Sequence, residues 1–298
     1  MQEHTTPTCP TVSVIIPVFE NAAGLRVCLD ALSRQTVCRS RYEVIVVDNG
    51  SHASIECACR PYSGVIFSQE ERRGSYAARN KGILLSQGQI LAFTDSDCIP
   101  EPDWIERGVA RLAAADGCAI VAGNIRVFLS DPSNPSSVEL YESVFAFDVR
   151  RYVAVDKFGP TANLWTSRAV VDAIGPFNER LKSGGDFEWG QRAFHAGFIP
   201  CFAEDVIVRH PARRTFAELD RKLKRVAGGH HALRAVWWRR LAFALKRLAP
   251  PVRQLRRLSR HGGLTGSQKV RVAVVLIRSR LVAFSYLLKA VFGGEASR

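Results

Sequence analysis

Apolar runs and helical stripes alternate along the first third of the chain. Val12–Ile16 is a nearly continuous β-branched run, as expected of a strand buried on both faces of a parallel sheet. From Ala22 to Gln35, Leu25, Cys28, Leu29 and Leu32 fall on one helical stripe. Glu43–Val47 and Val65–Phe67 predict two further strands, and Ser75 to Ser86 a helix opening after Gly74. Ile90–Thr94 predicts a fourth strand, followed by a helix from Asp103, as cap, to Ala115. Repeated β-α-β units of this length imply an α/β, doubly wound sheet with right-handed crossovers.

Ligands of such sheets bind beyond the carboxyl ends of the strands, where the strand order reverses. Three polar clusters occupy strand ends: Phe19-Glu20-Asn21, Asp48-Asn49 and Asp95-Ser96-Asp97. Their positions predict one shared crevice.

The pattern loosens after residue 118. Ala119–Ala122 and Thr161–Thr166 predict strands, and Ser130 to Ser137 reads as a turn-rich loop. Gly184-Gly185-Asp186 precedes a short helix through Ala196. Thr215 and Glu218 form a capping-box pattern for a helix with Phe216, Leu219, Leu223 and Val226 on one side. The division expected is a flexible N-terminus at 1–10, halves at 11–118 and 119–212, and a helical tail at 213–298.

Charge separates that tail from the rest. Residues 206–298 carry 22 Lys and Arg against 3 Asp and Glu, whereas residues 1–205 carry 19 against 25. Such a tail suits an anionic membrane surface, a nucleic acid, or packing on the catalytic part or a second copy. Trp237 and Trp238 beside arginines favour a helix in the lipid headgroup region, with the Leu281–Leu288 stripe inserted. That run is too short to span a bilayer, and no nucleic-acid motif accompanies the charge.

No signal peptide is visible, because the first apolar run is too short for one. The expected setting is cytoplasmic, attached peripherally to the inner face of the membrane. The eight cysteines show no C-x-x-C pair or zinc spacing and read as free thiols of a reducing compartment rather than a disulfide framework.

Asp95 and Asp97 are the sharpest chemical signal. Carboxylates one residue apart in extended backbone project to the same side. Past a strand end they can share Mn²⁺ or Mg²⁺ with the oxygens of a diphosphate. A plain turn cluster is the competing reading.

Motifs in fixed order then carry a resemblance. V-S-V-I-I-P-V-F-E (12–20), V-I-V-V-D-N-G-S (44–51), G-S-Y-A-A-R-N-K-G (74–82), F-T-D-S-D (93–97), G-P-F-N-E (175–179) and G-G-D-F-E-W (184–189) resemble family-two glycosyltransferases of the GT-A fold over residues 11–210. The resemblance implies a Rossmann-like, mixed and mainly parallel sheet, with the basic helical tail following. It also implies that Pro17, Phe19 and Glu20 line the nucleotide pocket, that Asp48 accepts from the base, and that Arg79 lies near the diphosphate or ribose. Without it, Arg79 would read as a solvated helix charge, and Asn80 and Gly82 as helix-shaping. Asp95 would contact the donor and the metal, Asp97 the metal, and His210 would be a third ligand or a structural histidine. Asp186 corresponds to the catalytic base of an E-D-x-D-type motif. This chain departs from that motif with Gly185 and Glu188, leaving Glu188 as a support, an acceptor contact or the lesser candidate base. Trp189 is either an acceptor-stacking or a structural residue.

The implied reaction is inverting transfer of a sugar from a nucleoside-diphosphate sugar, UDP slightly favoured, to a hydroxyl of a lipid-linked or cell-envelope glycan. One rival is a sugar nucleotidyltransferase, which should carry a Gly-rich loop where Ile16–Glu20 has no glycine. The other is a membrane-associated scaffold with a lapsed transferase domain, against which the retention of all four aspartates argues.

Overall fold

The computed structural model describes residues 11–114, 118–232 and 237–291. The expected flexible N-terminus and Cys9 lie outside them, as do the side chains of Trp237, Trp238, His230 and His231. Eight strands form one mixed sheet in the order β3-β2-β1-β4-β7-β6-β8-β5. They are β1 (Val12–Val18), β2 (Tyr42–Asp48), β3 (Val65–Gln69), β4 (Ile90–Thr94), β5 (Ile99–Pro100), β6 (Cys118–Phe128), β7 (Asn163–Ser167) and β8 (Ile199–Pro211). β3, β2, β1 and β4 run parallel, and β7 turns antiparallel against β4. Every residue of β1 and β2 is buried, which is why their sequences run apolar without alternation.

Helices flank these strands: α1 (Ala22–Ser33), α2 (Glu56–Cys59), α3 (Ser75–Leu85) and α4 (Trp104–Ala113). Then come α5 (Ser137–Phe145), α6 (Val149–Ala154), α7 (Arg168–Ile174), α8 (Gly185–His195), α9 (Phe216–Ala232), α10 (Trp237–Leu245), α11 (Val252–Ser259) and α12 (Gly266–Val291). The Asp103 side chain does not cap α4; its Oδ2 accepts instead from Arg107 Nε at 2.5 Å.

The chain forms two compact units. The first holds the described residues up to Arg126, with Asp148–Arg180 and Gly185–His210. The second joins Val127–Phe147 and Leu181–Gly184 to the segment from Pro211 onward. Here α5, capped reciprocally by Ser136 and Glu139, supplies Leu140 and Val144 to a cluster with Leu258 and Val272. Val138 meets Leu219 and Val275 in another. Glu142 of α5 is buried and accepts from Arg213 Nη1 at 3.0 Å and from Lys222 Nζ at 2.8 Å. The expected Thr215–Glu218 capping box begins α9.

α5 and α9 pack on α12, one of the arrangements open to the basic tail. Two expectations are corrected. Leu287 sits in the core with Ala227 and Ala244, so Leu281–Leu288 is not one exposed stripe. Nor are all the cysteines free. Cys118, opening β6, is disulfide-bonded to Cys201 in β8, with Cα atoms 5.7 Å apart. Closing a loop of that length disfavours the unfolded chain by on the order of 4 kcal/mol. Disulfides persist in oxidising surroundings, so this pair removes the support the cysteines lent to a cytoplasmic setting.

Candidate active site

The strand order reverses between β1 and β4, and the three polar clusters meet at the carboxyl ends of β1, β2 and β4. Asn21 joins two of them: its Oδ1 caps α1 by accepting from Gly24 N at 3.1 Å, while its Nδ2 donates to Ser96 Oγ at 3.2 Å. Ser51 joins the others. Its hydroxyl donates to Asp48 Oδ1 at 2.6 Å and accepts from Glu20 N at 2.8 Å. Glu20 has φ +51°, a left-handed conformation that non-glycine residues rarely adopt. It persists because the Glu20 carboxylate also accepts from His52 N at 2.8 Å and pairs with the His52 ring. Pro17 is buried inside β1 in register with Val47, and Phe19 stands 52% exposed at the edge.

Asn49 and Asn80 tie distant motifs together. Asn49 donates to the carbonyls of Glu70 and Arg72 and accepts from Gly74 N, fixing the start of α3. Gly74, at φ +138°, is where the chain needs glycine. Asn80 exchanges bonds of 2.9 and 3.0 Å with the Phe177 backbone, which attaches the 175–179 motif to α3. Gly82 permits close packing, since a Cβ there would lie 2.5 Å from Ile15.

Arg79 is not a solvated charge. It is 4% exposed, and its Nη2 donates to Asp95 Oδ1 at 2.5 Å. Its guanidinium lies 5.5 Å from the centre of the Tyr76 ring, and its buried Nε has no acceptor. Asp97 Oδ2 stands 3.5 Å from Nε2 of the buried His210. Donor atoms of Asp97, Cys98 and His210 lie within 4.8 Å of one another. Burial pushes the Cys98 thiol well up, and Asp95 and Asp97 push it further.

Asp186 lies in the first turn of α8. Its Oδ1 accepts from Phe187 N at 2.9 Å and from the Tyr76 hydroxyl at 3.3 Å. Burial raises the Asp186 pKa, against the lowering effect of the Phe187 N–H, Arg79 and Tyr76. Burial and the Asp186 charge also raise the Tyr76 phenol, which therefore remains a donor. Glycine is required at 185 because a Cβ there would lie 2.6 Å from the Tyr76 ring. Neither Tyr76 nor Cys98 stands out in the sequence; Gly185 departs from the motif there, and only the structure shows the Tyr76 ring in its place.

For Trp189 and Glu188, each left with alternatives, the contacts are internal. Trp189 is 1% exposed, donates to Gly175 O at 3.1 Å and packs on Phe177. Its indole is a core element and offers no face to an acceptor. Glu188 holds Arg192 through both oxygens, at 2.7 and 3.2 Å, and Arg192 in turn donates to the carbonyls of Ile174 and Pro176. It is a support. Phe187, next to Asp186 in sequence, is partly buried and in edge contact at 5.4 Å with the partly buried Phe158.

Residues 13–175 match the family described as Glycosyl transferase family 2. The chain is similar to glycosyltransferase AglE of Haloferax volcanii, 42% identical over 75% of this chain and 74% of that one. Among solved structures it is similar to the mannosyltransferase PcManGT of Pyrobaculum calidifontis in complex with GDP-Man and Mn²⁺, with a TM-score of 0.61 and 19% identity over 97% and 88% of the two chains. It is also similar to residues 1–349 of S. aureus TarS in complex with UDP, with a TM-score of 0.55 and 17% identity over 95% and 90%. These likenesses give the fold as the Rossmann-like GT-A fold, as expected from the motifs.

Proposed function

We propose, from the premise that this chain belongs to glycosyl transferase family 2, that it transfers a sugar from a nucleoside-diphosphate sugar to an acceptor hydroxyl with inversion at the anomeric carbon. The observation that carries this reading is the buried Arg79 paired with Asp95 at the carboxyl end of β4, with Asp97 beside His210 and with Asp186 bonded to Tyr76 of the Arg79 helix. Residues 11–118 supply the donor side in this reading, and 119–212 the acceptor side.

Phe19 offers an exposed face to the base, and Asp48, steadied by Ser51, an acceptor for a base N–H. Arg79, whose Nε lacks an acceptor, suits the diphosphate. Asp97 and His210 fit a divalent cation: a carboxylate and an imidazole converge 3.5 Å apart at a strand end, and Asp95 stands one residue away. Cys98 Sγ lies within 4.8 Å of the Asp97 and His210 donor atoms. Mn²⁺ or Mg²⁺ held there would supply positive charge against the departing diphosphate. Asp186 takes the proton from the attacking hydroxyl. Its raised pKa makes it a stronger base than an ordinary carboxylate. Phe187 and Phe158 replace Trp189 as the aromatic contact for an acceptor sugar.

The acceptor assigned is a lipid-linked or envelope glycan, because the second unit carries the basic surface suited to a membrane. GDP is bound by one structural neighbour as GDP-Man and UDP by another, so the donor screen covers both bases.

The test is a screen of GDP-mannose and UDP-sugars for hydrolysis with and without Mn²⁺, followed by calorimetric titration of the matching nucleoside diphosphate. Asp97→Ala should abolish Mn²⁺-dependent binding while leaving the fold intact. Wild-type affinity in that variant overturns the metal assignment, and metal-independent transfer overturns the mechanism.

A further inference from the structure

The transfer reaction makes no use of one side of α12. Val270, Val274, Ile277 and Leu281 are 64, 58, 49 and 53% exposed. Their spacings of four, three and four residues place them on one helical stripe, about 16 Å long at the α-helical rise. The other side of the helix is core, through Val272, Val275 and Leu276. Leu245, Leu248, Val252 and Leu255 add exposed aliphatic surface in the same unit. Among the described residues, eight of the fifteen exposed large apolar side chains therefore fall between Leu245 and Leu281. Scattered exposed apolar residues are ordinary on a soluble protein, but a continuous stripe marks an interaction surface.

The charge beside the stripe identifies its partner. Residues 237–291 contain thirteen Lys and Arg and no Asp or Glu. Lys246, Arg253, Arg256, Arg257, Arg260 and Arg271 are exposed. A second copy docking through the same stripe would bring two strongly cationic surfaces together. Nucleic acid would satisfy the arginines yet leave the aliphatic side chains in water. An anionic bilayer satisfies both at once, with aliphatic side chains below the headgroups and guanidinium groups among the phosphates. No helix among the described residues is long and apolar enough to cross a membrane, and Arg278 and Arg280 lie within α12 itself.

We propose that the Val270–Val274–Ile277–Leu281 stripe is a membrane-docking face that lies in the interface of an anionic lipid bilayer, with α12 along the surface. The stripe shares only Leu281 with the Leu281–Leu288 run, whose Leu287 is committed to the core. Exposed Leu84, 79% accessible on α3 of the first unit, has no part in it.

The full chain is sedimented with vesicles of phosphatidylcholine alone and with about a third phosphatidylglycerol. Wild type should bind the anionic vesicles, and binding should weaken as salt rises. Val274→Asp with Ile277→Asp should lower partitioning by about tenfold or more with the melting temperature unchanged, and Leu84→Asp should leave it unaltered. Should the aspartates prevent folding, Val270→Ser with Leu281→Ser takes their place. Equal binding to neutral and anionic vesicles, binding to neither, or wild-type partitioning of the stripe variants overturns the proposal. So does a wild-type dimer in lipid-free sedimentation velocity that the stripe variants convert to monomer.

Discussion

Two acidic clusters make an instructive pair. Around β4, the side chains of Asp95 and Asp97 remain 33 and 39% exposed at a strand end. In the helical unit, the Glu142 side chain is 1% exposed and held by two cations, with the Arg213 backbone N–H as a further donor at 2.9 Å. Glu142 has its bonding capacity filled from within the protein, so it can hold structure but do no chemistry. The acids at the strand ends face solvent, where a ligand can complete their coordination. Burial with full satisfaction marks a structural charge; convergence at an open edge marks a reactive one.

Substituting Glu142 in one cluster, and Asp186 within the field of Arg79 and Asp95 beside the other, breaks the comparison if it is wrong. The largest effect is expected at Asp186. Asp186→Asn keeps shape and hydrogen bonding but removes the basic oxygen, so turnover should fall about 10²–10⁴-fold with donor affinity and melting temperature nearly unchanged. Because burial raises the Asp186 pKa, the wild-type acid limb should lie above the ordinary carboxylate range. Retention of more than about a tenth of the turnover would remove Asp186 from the base role.

Glu142 should show the opposite pattern. Glu142→Ala leaves Arg213 and Lys222 without their counter-charge and should cost about 3 kcal/mol in denaturant unfolding, with donor affinity unchanged. Burial pushes the Glu142 pKa up, and the Lys222 and Arg213 charges more than reverse it, so folding lowers it. Its share of stability is therefore complete above the ordinary glutamate range and is lost as pH falls through the lower folded value. A variant unfolding like wild type at neutral pH contradicts this account.

The finest distinction lies at Tyr76. Tyr76→Phe keeps the ring against Gly185 and deletes the phenol's bond to Asp186 Oδ1 together with its bonds to the Gly185 and Asp186 backbone. Turnover should fall several-fold, and the acid limb should move upward, since the Oδ1 bond favours the ionised carboxylate. An unshifted pH profile would reduce Tyr76 to a packing residue.

The parts of this molecule legible in the sequence are those set by near neighbours. β1, β2 and β4 announce themselves because strands buried on both faces read as apolar runs. β8 offers no apolar run along its full length, since burial along its thirteen residues is uneven and polar residues are interspersed. The carboxylates at residues 48, 95 and 97 stood out by following such strands. Trp189 did not declare itself, because only Phe177, brought alongside by the 175–179 turn, decides that the indole faces inward. Gly185 could be read as a departure but not explained, since the ring that fills its place is 109 positions away. The Ser136–Glu139 cap was a readable local signal inside a stretch taken as loop. The partners of Glu142, 71 and 80 residues onward, left no periodicity to find.

The Cys118–Cys201 bond also changes what kind of object the chain is. Topologically it is a ring with two linear arms that leave it from points 5.7 Å apart. α5 belongs to the ring, whereas α9 to α12 belong to the C-terminal arm, so the helical unit is assembled from both. A protease that cuts once inside the ring opens it without releasing either piece. The nicked protein would keep its full mass until a reductant divides it, and α5 could separate from the arm only by breaking its packing.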